Sequence, residues 1–300
     1  MWEKNGIIFD KHHAQVPVVD EYDDFYRIYY STRIDGKSNP LFVDVDKKNP
    51  KKIIYEHTEP ILKLGNPGSF DWAGIMPTDI IEVNSVKYLY YIGWSLRLDV
   101  PYHNNLGLAV STDNGNTWNK FSNGPVFSTN CVETGYIGTV EILIEDGVWR
   151  MWYLSCRDWV KSNGVMEPTY DIRYATSIDG ITWEATNTVC IPLEDNEGGI
   201  SSCRILKKNN EYMMWYSIRD VLDYRTNINH SYRIKTAKSF DGINWFKNKH
   251  IDLDISEENS WEDTMVCYPF IVERDDSLLI FYNGNGFGKT GVGYAIQKRT

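Results

Sequence analysis

Strand-length runs of apolar residues, each bounded by Gly, Asn or Asp, recur along the whole chain. The clearest, rich in aromatics, cover 25–31, 88–94, 149–155, 212–217 and 278–283. An apolar run precedes each of them, at 16–19, 75–83, 140–144, 200–206 and 266–272. A third follows four of them, at 106–111, 172–177, 234–239 and 292–297. Length, alternation and aromatic content predict β-strands, and no window holds a helical period over ten or more residues.

Three copies of one motif set the period. They are Ser111-Thr112-Asp113-Asn114-Gly115-Asn116-Thr117-Trp118, Ser177-Ile178-Asp179-Gly180-Ile181-Thr182-Trp183 and Ser239-Phe240-Asp241-Gly242-Ile243-Asn244-Trp245. Each reads as a turn: Asp binds backbone N–H groups, Gly takes a positive φ, and Trp opens the next strand. The tryptophans are 65 and 62 residues apart, the spacing of a repeat array. A period of about 60 in 300 residues gives five units. Residues 2–9 resemble the segment after Trp118, so the N-terminus predicts the outer strand of a unit begun at the C-terminus. The expected fold is all-β: a five-bladed β-propeller of four-stranded antiparallel blades, one domain over 1–300, closed by the N-terminal strand.

Composition narrows the partners. A net charge of −10 offers no basic stripe for nucleic acid. No apolar run is long enough to span a membrane, and Met1-Trp2-Glu3-Lys4 leads into a strand rather than a signal peptide. The five scattered cysteines lack CxxC spacing and read as reduced thiols of a cytoplasmic protein, with no metal or cofactor expected.

In a propeller, residues before the first strand and after the second strand of each blade share one rim. The Ser-x-Asp-Gly turns lie on the opposite face. Acidic residues precede the first strands: Asp71, Glu133, Glu197, and the pair Glu262 and Asp263. The first blade has His12-His13-Ala14-Gln15 instead. Arginines follow the second strands at Arg33, Arg97, Arg157 and Arg219. Asp71 and Glu133 sit among aromatic or small residues, surroundings that raise a carboxyl's pKa and suit a general acid. The repeated acids and arginines also fit blade-to-blade ion pairs inherited with the repeat.

Laid out in this way, the chain resembles the five-bladed propeller glycosidases (arabinanases, β-xylosidases, fructosidases) and the related mannoside phosphorylases. Trp72-Ala73-Gly74-Ile75 is similar to that group's Trp-Ala-Pro-Asp, and Glu133-Thr134-Gly135 to its Glu-Gly-Pro; Val16-Pro17 replaces its Asp-Pro. The chain also resembles bacterial propellers associated with surface-polysaccharide synthesis. The resemblance implies carboxylate acid/base chemistry on a glycosidic bond. Glu133 is then the acid, Asp71 the base or orienting group, Asp263 or Glu262 the alternative base, and His13 a further candidate. Trp72, Tyr136, Trp159 and Tyr268 are expected to stack on sugar faces. Arg33, Arg97, Arg157, Arg204 and Arg219, with Gln15, are expected to hold substrate. Guanidinium groups in such number favour an anionic sugar, a sugar phosphate or a nucleotide sugar, whether small molecule or oligosaccharide. A non-catalytic glycan-binding propeller and a glycosyltransferase or phosphorylase are the alternatives. The connections 158–169 and 220–231 are expected to be the longest loops, forming a lid over the rim or a contact with a second subunit.

Overall fold

The computed structural model describes residues 1–10 and 13–299. Its strands are β1 (Glu3–Phe9), β2 (Gln15–Glu21), β3 (Phe25–Ile34), β4 (Lys37–Asp46), β5 (Ile53–Glu56), β6 (Gly74–Val83) and β7 (Val86–Leu96). There follow β8 (Tyr102–Ser111), β9 (Asn119–Lys120), β10 (Ile137–Glu145), β11 (Val148–Ser162), β12 (Val165–Ser177), β13 (Glu184–Ile191) and β14 (Glu197–Lys208). The last are β15 (Glu211–Asp220), β16 (Arg233–Ser239), β17 (Phe246–Leu253), β18 (Cys267–Glu273), β19 (Ser277–Asn283) and β20 (Val292–Lys298). Among the described residues helix is confined to short turns at Ile228–His230 and Asn285–Gly288.

Antiparallel pairing gathers the strands into five groups of four: β2-β3-β4-β5, β6-β7-β8-β9, β10-β11-β12-β13, β14-β15-β16-β17 and β18-β19-β20-β1. Single parallel pairings, Ser38 with Gly74 and Tyr170 with Gly199, join the first group to the second and the third to the fourth. The hydrogen-bonded result is three sheets, none closed on itself. The first strands of the groups nevertheless touch in a cycle: β2 with β6, β6 with β10, β10 with β14, β14 with β18, and β18 with β2. The N-terminal strand pairs with β20 in the fifth group, as the sequence predicts, with Glu3 opposite Ile296 and Phe9 opposite Val292.

An apolar cluster fills each seam between groups. Val18, Tyr29, Leu89 and Trp118 are buried between the first and second, and Ile8, Tyr26, Phe281 and Tyr294 between the fifth and first. The other three seams are filled in the same way. Each such side chain contributes about 1.5–3 kcal/mol when fully buried, so the alternation of the strands is matched by packing on both faces.

The repeated turn behaves as its residues dictate. Ser111, Ser177 and Ser239 accept the N–H of Gly115, Gly180 and Gly242 on Oγ at 2.9–3.0 Å. Asp113, Asp179 and Asp241 accept further backbone N–H groups at 2.8–2.9 Å. With φ of 78°, 73° and 76°, the glycines aim their carbonyls at the preceding group. There Arg27, Tyr90 and Trp152 donate to them at 3.0, 2.6 and 2.6 Å. The turn is therefore a lock between groups.

One expectation is corrected. Residues 158–169 are not a loop but the end of a hairpin: β11 and β12 continue to Ser162 and Val165 around Asn163-Gly164, both at positive φ (49° and 82°). That is the geometry of a two-residue hairpin turn.

Candidate functional site

Every first strand carries a bulge at the same place. Register shifts lie between Gln15 and Val18, Pro77 and Asp79, Ile137 and Val140, Ser201 and Arg204, and Cys267 and Phe270. Val16, Ser202 and Tyr268 there take φ of 54°, 49° and 54°. A β-branched residue at such a φ is an outlier, and strain of this kind costs about 1–3 kcal/mol per residue. Neighbouring groups fix the bulges. Val16 N–H donates to Asn283 Oδ1 (2.9 Å), Val140 N–H to Thr78 Oγ1, Ser202 N–H to Thr139 Oγ1 and Tyr268 N–H to Ser217 Oγ (each 2.8 Å). Bulges re-aim side chains and gather beside functional sites.

They surround a cavity of about 250 Å3 to which all five groups contribute. Gln15, Val16, Met76, Gly138, Thr139, Ser201 and Tyr268 come from the bulged strands. Eight aromatic side chains line it: Trp94, Tyr102, Tyr136, Tyr170, Tyr224, Tyr232, Tyr268 and Phe287. Burial pushes the Tyr136, Tyr232 and Tyr268 hydroxyls well up, so they face the cavity as neutral groups. Among the described residues its lining includes two cations, Arg33 and Arg225, and no Asp, Glu or His.

The two guanidinium groups differ. Arg225 donates to Glu167 at 2.6 and 3.0 Å and lies over Phe287. Burial pushes the Glu167 carboxyl up, but its bonds from Arg225 and Tyr224 outweigh burial, and it titrates below its ordinary value. Arg33 stacks on Trp94 at 5.2 Å and has no ion pair among the described residues. Burial lowers its pKa, the signature of a positive charge without compensation.

Of the expected site residues, Gln15, Arg33, Tyr136 and Tyr268 line this cavity. Trp159 backs it, packed on Tyr102 and Tyr136 at 5.6 and 5.8 Å. The carboxylates lie elsewhere, each bound to a partner. Buried Glu133 accepts Arg173 at 2.9 Å and Tyr153 at 2.8 Å. Asp71 accepts Lys120 at 2.5 Å. Glu262 pairs with Lys4 at 3.1 Å and accepts Tyr282 at 2.7 Å. Asp263 accepts Asn285 at 2.7 Å. The apolar pockets expected around Asp71 and Glu133 thus each contain a cation, brought in from a later strand.

The remaining arginines lie outside the cavity lining. Arg204 is buried along β14, pairs with Asp79 (3.1 Å) and Glu141 (2.5 Å), and lies over Phe270. Arg219 is caged by Tyr170, Tyr224 and Tyr232. Arg157 pairs with Asp171 at 3.2 Å, and Arg97 points to solvent. Trp72 and His13 are outside the cavity lining, Trp72 beneath Lys37; His12 lies outside the described residues. Trp94, Tyr102, Ser201 and Arg225 also line the cavity, though nothing in the repeat pattern marks them. The connection 220–231 contributes Tyr224 and Arg225 to the lining.

Among the described residues no three His, Cys, Asp or Glu converge as a metal site, and none of the five cysteines is disulfide-bonded. Among the described residues no helix is long and apolar enough to cross a membrane.

No known sequence-family profile matches the chain. Two uncharacterised proteins from strains of Mycobacterium tuberculosis are each 32% identical to it over 309 aligned positions, covering 98% of both chains. Among solved structures, a glycoside hydrolase superposes with a TM-score of 0.75 at 16% identity, over 99% of this chain and 92% of its own. A thermostable family-43 glycoside hydrolase gives 0.73 at 15% identity, over 98% and 92%. The β-1,2-mannobiose phosphorylase of Listeria innocua gives 0.69 at 12%, over 96% and 90%. At these identities the likeness is one of fold: the chain shares the architecture of the glycosidase-type β-propellers.

Proposed function

Because the chain belongs to the family of these two Mycobacterium tuberculosis proteins, we propose for its members a common reading. It is a single five-bladed β-propeller domain that binds an anionic sugar, a sugar phosphate or a nucleotide sugar at the mouth of its channel and acts on the glycosidic bond. The observation that carries this reading is Arg33: a guanidinium stacked on Trp94, without an ion pair among the described residues, in a cavity whose lining is aromatic and without acid. Such a wall attracts a negative charge, and its rings suit a sugar face. The cycle of contacts between first strands supports five blades around an axis. A cytoplasmic setting, in which sugar phosphates and nucleotide sugars are at hand, belongs to the same proposal.

The absence of acid from the lining favours binding, or transfer of a sugar already carried on a phosphate leaving group, over hydrolysis by a carboxylate pair. In such a transfer the anomeric C–O bond to phosphate breaks as one to an acceptor hydroxyl oxygen forms. The departing phosphate anion, which Arg33 would stabilise without a proton from Glu133, takes up the acceptor's proton. Hydrolysis would require Glu133 and Asp71 to leave their ion pairs.

Titration by tryptophan fluorescence and calorimetry tests the proposal, with glucose, glucuronate, glucose 1-phosphate and UDP-glucose as probes. Arg33→Ala is expected to weaken the anionic probes about 10- to 150-fold, the worth of a charge-assisted hydrogen bond, while Arg97→Ala changes nothing. Glucose binding as tightly as its phosphate would refute the reading.

A further inference from the structure

Gln15 and Ser201 hold polar atoms that the protein itself does not satisfy. Gln15 is 9% exposed and Ser201 3% exposed, and neither Gln15 Oε1 nor Ser201 Oγ has a hydrogen-bond partner among the described residues. Both residues line the cavity. Buried polar groups are bonded as a rule, and an orphan calls for an explanation. Tyr216 and Arg204 also carry orphaned atoms but stand outside the cavity.

The placement of the two is informative. Gln15 sits at the bulge of β2 and Ser201 at the bulge of β14. The strand between them in the cycle of contacts is β18, whose bulge presents Tyr268 to the same cavity. An aromatic ring is thus flanked on either side by an unpaired acceptor. The following residues, Val16 and Ser202, are held at positive φ. A side chain that is buried, unsatisfied and mounted on strained backbone is costly unless a ligand completes it.

We propose that Gln15, Tyr268 and Ser201 form a subsite that reads the hydroxyl-bearing ring of the substrate, while Arg33 holds its anion. Gln15 Oε1 accepts one ring hydroxyl, Ser201 Oγ bonds a second, and the ring lies on Tyr268. The inference rests on the proposal that the cavity takes an anionic sugar, and it adds the group that separates a sugar phosphate from phosphate alone.

The test compares inorganic phosphate with the 1-phosphates of glucose, galactose and mannose by calorimetry. It uses the wild-type protein, Gln15→Met, Ser201→Ala and the double variant. Each single change is expected to lower affinity for the preferred hexose phosphate about 3- to 10-fold, and the double change about 10- to 100-fold. Phosphate affinity stays constant throughout. Thermal midpoints are expected to hold or rise, because neither substitution removes a hydrogen bond within the protein; a structural role would lower them. If the preference for hexose phosphate over phosphate survives the double variant, the subsite is refuted and the Arg33 proposal stands. If hexose phosphate binding survives Arg33→Ala but falls in the double variant, the anion assignment fails instead. Absence of binding by every probe overturns both.

Discussion

Glu133→Gln discriminates between a carboxylate that does chemistry and one that holds the fold together. Glu133 is 3% exposed and accepts Arg173 at 2.9 Å, the Tyr153 hydroxyl on both oxygens and Ser155 at 3.3 Å. Removing one partner of a buried pair costs about 3–5 kcal/mol, because the other charge is left in the interior. Here Arg173 also meets Asp171 at 3.2 Å, which retains part of the compensation, so we expect a loss of about 2–3 kcal/mol. Burial and the neighbouring Glu133 raise the Asp171 carboxyl to about 7. A folded-state pKa above the unfolded value of about 3.9 means that the folded protein holds the extra proton between these two pH values. The stability contributed by Asp171 is therefore complete below pH ~4 and lost as pH rises through ~7. With Glu133 neutral, the repulsion falls, Asp171 ionises at lower pH and becomes the partner of Arg173. Urea denaturation followed by circular dichroism at pH 5 and pH 8 should show Glu133→Gln less stable than wild type, with a shallower decline between the two. The double variant Glu133→Gln/Arg173→Met should recover part of the loss, as coupled sites do. Wild-type stability in Glu133→Gln, accompanied by lost turnover on a sugar substrate, would refute this reasoning and return Glu133 to the chemistry.

Two further outcomes are expected. Gly180→Ala forces a side chain onto backbone at φ 73° and to within 2.6 Å of Trp149; a loss of about 1–3 kcal/mol, read as a lower thermal midpoint, is expected, and an unchanged midpoint contradicts the lock. Arg204→Met leaves Asp79 and Glu141 buried without their cation. Burial pushes both carboxyls up, with Glu141 adding to the rise at Asp79, so both keep protons better when folded and the variant loses stability as pH rises. Denaturation should show about 3–5 kcal/mol lost at pH 8 and less at pH 5; equal losses at the two pH values would contradict it.

The legible parts of the sequence were those whose chemistry is local. Ser177, Asp179 and Gly180 bond one another within four residues, so the turn and its period could be read directly. The pairing of residues 3–9 with β20 followed from counting periods. The carboxylates were harder, because their surroundings are set by distant strands: Lys120 is 49 residues from Asp71, and Arg173 is 40 from Glu133. The arginine series shows the same limit. Arg33, Arg157 and Arg219 hold the same place in the sequence pattern, yet Asp171 takes one and a tyrosine cage another, which leaves Arg33 for the cavity. Ser201 gave no signal, since a bulge is a property of the pairing between β14 and β15 rather than of the residues alone.

The clasp between β1 and β20 also fixes how the molecule yields to force. Glu3 lies opposite Ile296 and Phe9 opposite Val292, so the two strands leave the fifth group side by side at one end. A pull across Glu3 and Lys298 would peel them apart one rung at a time, like a zipper, instead of shearing all rungs together. Tension applied there should part β1 from β20 first, at a single weak stitch, and leave the other groups standing.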